Sequence, residues 1–249
     1  MRKKLVAGNW KMHGTLQSNA SLLDGLLGGL AGVLCEVLVC VPFPYLAQAT
    51  ERLGGSAMRL GAQNVSEHSV GAFTGEVSAL MLADFACEYV LVGHSERRTL
   101  FAETDEVVAA KCRKVLEQGM RPVLCVGETL AEREAGLTGE VVNRQVAKVL
   151  AEIGVKGFER LVVAYEPVWA IGTGKTATPQ QAQDVHAAIR AQVAVHDLVV
   201  AAGLSILYGG SVKPQTAVEL FGRPDIDGAL VGGAALVVDD FIAICHAAS

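Results

Sequence analysis

The chain has 249 residues, 51% of them hydrophobic, enough apolar material for one large core. With 21 basic against 26 acidic residues the net charge is −5, so no overall field draws nucleic acid or an anionic membrane, and an anionic ligand needs a local pocket. Basic Arg2, Lys3 and Lys4 lead only into Leu5, Val6 and Ala7 before Gly8 and Asn9, too short an apolar run for a secretory signal.

Eight β-rich runs follow in order: Lys4 to Asn9, Glu36 to Val41, Met58 to Gln63, Tyr89 to Val92, Arg121 to Val126, Arg160 to Tyr165, Ser205 to Tyr208 and Asp227 to Val231. The stretch from Gly25 to Cys35 lies between Asp24 and Glu36, is too short to cross a bilayer, and is expected to be a buried helix face. Glu106 to Gln118 and Pro179 to Val195 place apolar residues three and four apart with charges between them, the pattern of amphipathic helices. Strands alternating with helices imply βαβ units, right-handed crossovers and a parallel sheet. Eight repeats without a Pro/Ser linker or a break in composition favour an α/β, single-domain (β/α)8 barrel over residues 1–249, rather than an open sheet or two domains. Six cysteines, at 35, 40, 87, 112, 125 and 245, form no C-x-x-C pair and have mostly apolar neighbours, as expected of core thiols in a reducing, cytoplasmic setting.

A barrel of this kind builds its active site from the loops at the carboxyl ends of its strands. Strand one delivers Asn9, Trp10 and Lys11 there, strand three Gln63 and Asn64, strand four Gly93, His94 and Ser95, and strand six Glu166 and Pro167. Strands seven and eight end in glycine pairs, Gly209-Gly210 and Gly232-Gly233. A single pair is as readily a tight turn, but two in adjacent loops offer backbone amides to a phosphate.

Lys11 has the charge to neutralise a phosphate or the oxyanion of a reacting carbonyl, although an isolated lysine is more often solvated. His94 precedes what reads as the first turn of a helix, whose amides repel an imidazolium, so it is expected to be neutral and to donate a hydrogen bond. Glu166 ends a buried strand, where it needs an ion-pair partner or a task. Partial desolvation makes it a better base for a proton next to a carbonyl. The apolar segment from Pro167 to Thr176 has the composition of a lid that excludes water and brings the Gly172 amide onto a phosphate. Its Gly174-Lys175-Thr176 ending is not a nucleotide P-loop, because the upstream glycine is replaced by Val168 or Trp169. No metal site is apparent, and proton transfer beside a carbonyl requires no cofactor.

Gly8-Asn9-Trp10-Lys11-Met12, Gly93-His94-Ser95-Glu96-Arg97-Arg98, Ala164 through Lys175, Tyr208-Gly209-Gly210-Ser211 and Asp227 through Ala234 together resemble the triosephosphate isomerase family, along almost the whole chain. The resemblance implies a TIM barrel that interconverts glyceraldehyde 3-phosphate and dihydroxyacetone phosphate, a step of glycolysis and gluconeogenesis, through an enediolate. It implies Glu166 as base, His94 as electrophile and proton shuttle, and Asn9 and Lys11 as groups that stabilise the enediolate, with Glu96 in support. Asn9, Trp10, Lys11, Gly172, Ser211, Gly232 and Gly233 are expected against substrate and phosphate. It also implies a homodimer through the loop containing Thr74 and Gly75. Two positions depart from the family pattern, His13 after Lys-Met and Ala235 after Gly-Gly-Ala, and neither removes a catalytic group. A catalytically silent phosphosugar-binding barrel is the alternative, and its mark would be a missing base or electrophile.

Overall fold

Short runs such as Leu5-Val6-Ala7 are apolar on both faces, which suits strands covered by helices outside and packed side chains inside. The computed structural model describes residues 2–171 and 176–249. Its strands are β1 (Leu5–Asn9), β2 (Glu36–Val41), β3 (Arg59–Ala62), β4 (Tyr89–Val92), β5 (Arg121–Val126), β6 (Val162–Tyr165), β7 (Ser205–Tyr208) and β8 (Gly228–Val231). Each lies within about two residues of its sequence expectation, as strand-end fraying allows. All neighbours pair in parallel, and β8 returns to β1 through Leu5 opposite Gly228, so the sheet closes into a barrel.

The helices are α1 (Leu16–Gly29), α2 (Leu46–Leu53), α3 (Ala79–Asp84), α4 (Ser95–Leu100), α5 (Asp105–Glu117), α6 (Leu130–Glu134), α7 (Thr138–Gly157), α8 (Pro179–Ala194), α9 (Leu198–Gly203), α10 (Pro214–Phe221) and α11 (Val238–Ala247). Local chemistry sets several of their starts: Thr104, Thr129 and Thr178 each accept the third amide of the helix that follows, and Pro179 fills the first position of α8. The expected helix face from Gly25 to Cys35 holds only as far as Gly29. Beyond it Leu34 is 75% exposed, and Gly32 takes a φ of +80°, a left-handed turn that an α-helix cannot contain.

Side chains alternate along each strand, and the alternation sorts them between two cores. Leu5 and Ala7 of β1, Tyr89 and Leu91 of β4, Val123 and Cys125 of β5 and Val162 and Ala164 of β6 fill the barrel interior. Val6, Val90, Leu124 and Val163 face the helices instead. Continuing the inward series one step past β6 brings Glu166 to the carboxyl rim, and continuing it along β1 brings Asn9 and then Lys11. The opposite end is closed by Arg190 of α8, which pairs with Asp225 at 2.6 Å and with Asp227 at 2.8 Å. Asp227 in turn accepts the Ile206 amide of β7, and its own carbonyl accepts the Leu5 amide of β1.

Candidate active site

Asn9, Lys11, His94 and Glu166 line one cavity of about 580 Å³ at the carboxyl ends of the strands, together with Ser211, Gly232 and Gly233. Lys11 has a φ of +51°, an uncommon conformation for a residue with a Cβ. Two neighbours hold it: the Lys11 amide donates to Asn9 Oδ1 at 3.0 Å, and Gln63 Nε2 donates to the Lys11 carbonyl at 2.9 Å. Its ammonium meets Glu96 Oε1 at 2.5 Å, and although burial raises the pKa of the half-exposed Glu96 carboxyl, Lys11, His94 and His13 together lower it.

His94 caps the amino end of α4, where its Nδ1 accepts the Glu96 amide at 3.2 Å. That acceptor leaves the ring proton on Nε2, which points at Glu166 Oε1 at 2.9 Å. The other Glu166 oxygen accepts the Ser95 amide at 2.8 Å. Both side chains are buried. Burial opposes the imidazolium of His94, but the Glu166 carboxylate, with Glu96 in addition, offsets it, and the balance raises the histidine pKa above its ordinary value. Helix position alone omits this carboxylate, which arrives from a different strand and pulls the pKa up, while an Nδ1 that accepts the Glu96 amide is the geometry of a neutral ring.

Two glycines make room for Glu166. A Cβ on Gly127 would lie 1.8 Å from the Glu166 carbonyl oxygen, and one on Gly209 would lie 2.7 Å from Glu166 Cγ. Neither role shows in the local sequence, since each depends on a neighbouring strand. Gly209 was expected to serve phosphate; its tightest constraint is the glutamate. Gln63 and Ser95 are also positioning groups that strand-end reading placed at the rim without a task.

Trp10 is a correction. It is 1% exposed and belongs to the core between strands and helices, not to the cavity, because the alternation that turns Asn9 and Lys11 inward turns the residue between them outward. Gly172 lies outside the described residues. The segment leading to it is anchored: Trp169 Nε1 donates to Glu128 Oε1 at 2.9 Å, Tyr165 OH donates to the same carboxylate at 3.1 Å, and the Arg133 guanidinium lies over the indole. Glu128 is fully buried and sequence reading gave it no role. Among the described residues no group of His, Cys, Asp or Glu is arranged to hold a metal ion, and no helix is long and apolar enough to cross a membrane.

Residues 4–248 match the family model described as triosephosphate isomerase. The chain belongs to the triosephosphate isomerase family. It is 66% identical over 249 residues to a triosephosphate isomerase of Dechloromonas aromatica (strain RCB), covering 100% of both chains. It is 62% identical to that of Thiobacillus denitrificans, again over 100% of both, and 60% identical to that of Cupriavidus taiwanensis over 99% of this chain and 100% of the relative. The quartet Asn9, Lys11, His94 and Glu166, which motif resemblance singled out, lines one cavity.

Proposed function

We propose that the chain interconverts D-glyceraldehyde 3-phosphate and dihydroxyacetone phosphate, with Glu166 as the base. The observation that carries this reading is a buried carboxylate held between an imidazole N–H and a backbone amide, in a cavity with a lysine ammonium on one side and two glycine loops on the other. Glu166 takes a proton from the carbon beside the substrate carbonyl and returns it to the neighbouring carbon. His94 donates from Nε2 to the substrate oxygen and moves a proton between the two oxygens, while the Lys11 ammonium offsets the charge of the enediolate. Asn9 holds the Lys11 backbone and presents its amide to the substrate. The backbone at Ser211, Gly232 and Gly233 receives the phosphate, with Gly172 contributing from the lid.

A homodimer is part of the proposal. Thr74 and Gly75 are exposed, and Met12, Val70, Phe73, Met81 and Phe101 expose apolar side chains on segments that follow β1, β3 and β4. Uncovered apolar side chains on these segments favour a second copy. A single domain over residues 1–249 is supported by one closed barrel, and a reducing, cytoplasmic setting by six unpaired cysteines. The test is turnover of glyceraldehyde 3-phosphate coupled to reduction of dihydroxyacetone phosphate. Glu166→Gln is expected to lower turnover roughly 10²–10⁴-fold while phosphosugar binding persists. Binding without turnover in the unaltered protein would leave the silent barrel as the reading.

A further inference from the structure

β5 ends at Val126, opposite Tyr165 of β6, so Gly127 is the first residue beyond the ladder. Among the described residues its amide and carbonyl have no backbone partner, and peptide groups at the edge of a core require one. One side chain takes both. The Gly127 amide donates to Gln145 Oε1 at 2.8 Å, and Gln145 Nε2 donates to the Gly127 carbonyl at 3.2 Å. Gln145 is 4% exposed on α7, and the same two bonds satisfy its own buried amide. A helix side chain thus replaces the strand partner that Gly127 lacks.

Two segments rest on that glycine. A Cβ at Gly127 would lie 1.8 Å from the Glu166 carbonyl oxygen and 2.7 Å from its carbonyl carbon, so the two backbones are in direct contact. The Glu166 amide donates to the Val126 carbonyl, one residue before the glycine, at 2.7 Å. Glu128, one residue after it, accepts the Val168 amide on its carbonyl at 3.1 Å and holds Tyr165 and Trp169 through its carboxylate. On the other side of Glu166, Gly209 extends the β6–β7 ladder, its amide donating to the Tyr165 carbonyl at 2.7 Å. The glutamate is therefore seated between two glycines, one held by the sheet and the other by Gln145.

We propose that Gln145 is a positioning residue for the base: its two-point hold on Gly127 sets the seat of the Glu166 backbone, from which the carboxylate reaches His94 Nε2 and the Ser95 amide. The assignment rests on Glu166 being the base of the proposed reaction. Without the hold the Gly127 peptide turns to other partners, the Glu166 carbonyl loses the surface it rests on, and the carboxylate shifts. A displacement of about 1 Å at a reacting group costs roughly 10²-fold in rate. The barrel supplies its own control at the opposite end. There Gln183 of α8, also buried, accepts the Asp225 amide at 3.0 Å and donates to Asp225 Oδ2 at 2.6 Å, a hold of the same kind with no catalytic group on it.

The experiment compares Gln145→Met with Gln183→Met in the full chain, by steady-state kinetics, urea unfolding and nitrogen NMR of His94. Methionine nearly preserves volume and removes both hydrogen bonds at either position. Both variants are expected to lose stability, but only Gln145→Met should lower kcat, roughly 10–10²-fold with KM within about twofold. Its His94 titration should fall towards the ordinary histidine value as the carboxylate leaves the ring, while that of Gln183→Met stays in place. Gln145→Asn keeps the polarity of the site but is too short to span both Gly127 atoms, and it reads the same effects if the methionine variant does not fold. The His94 titration needs no turnover, so it tests Gln145 even if the unaltered protein binds phosphosugar without converting it. A folded Gln145 variant with an unmoved His94 titration, or equal losses of kcat in Gln145→Met and Gln183→Met, overturns the proposal.

Discussion

Glu166 Oε1 lies 2.9 Å from Nε2 of His94, so the proposed base and the proposed electrophile occupy each other. The contact accounts for the raised histidine pKa, and the Glu96 amide on Nδ1 defines which nitrogen carries the proton while the ring is neutral. In the proposed reaction a substrate carbonyl that takes the Nε2 proton displaces the carboxylate, which then turns to the substrate carbon.

Nitrogen NMR of the free protein is therefore expected to show His94 titrating above its ordinary value, and Glu166→Gln to bring it down. The sign follows from the causes: without the carboxylate, burial remains and favours the neutral ring. A His94 titration unmoved by Glu166→Gln would remove this carboxylate as the cause.

Gly209→Ala and Gly127→Ala should fail in different ways. At Gly209 the added carbon meets a flexible part of the Glu166 side chain, so the protein folds and turnover drops roughly 10²-fold through misplacement of the base. At Gly127 it meets the Glu166 backbone carbonyl, which cannot give way, and the cost falls on stability, about 3 kcal/mol or more. Kinetics and urea unfolding on both variants separate the two outcomes; equal effects on stability would remove the distinction.

Trp10→Phe and Lys11→Met test which of two neighbours faces the cavity. Trp10 is core, so its variant should keep KM within about twofold while losing some stability. Lys11→Met should lower kcat/KM roughly 10²–10³-fold, the size typical for loss of one group that stabilises an oxyanion. A large KM change in Trp10→Phe would return the indole to the substrate site.

The barrel was legible because buried parallel strands read as short apolar runs, and the rim because polar residues at the ends of such runs have no packing explanation. The Trp10 assignment went wrong although its signal was present: counting inward from Leu5 and Ala7 selects Asn9 and Lys11 and rejects the residue between them. The Glu166–His94 contact had no comparable signal. It joins β6 to the loop after β4, and neither segment records which way the other's side chain leans. Gly127 and Gly209 were opaque for the same reason, and so was Glu128, whose partners Tyr165, Trp169 and Arg133 come from separate elements.

His186 supplies a stability test away from the site. It is fully buried on α8, with Nδ1 3.1 Å from the Asp225 carbonyl, its ring edge-on to Tyr165, and Nε2 without a hydrogen-bond partner among the described residues. Burial pushes its pKa down to about 4. Below the ordinary histidine value the unfolded chain binds a proton that the folded protein still refuses, so stability falls as pH drops from about 6.5 towards 4. At one pKa unit per 1.36 kcal/mol the whole window is worth about 3 kcal/mol. His186→Asn keeps an amide donor for the Asp225 carbonyl but cannot titrate. It is expected to cost stability at neutral pH and to flatten the decline below pH 6.5, measured by urea unfolding at several pH values and fixed protein concentration. An unchanged slope would assign the acid sensitivity to other groups.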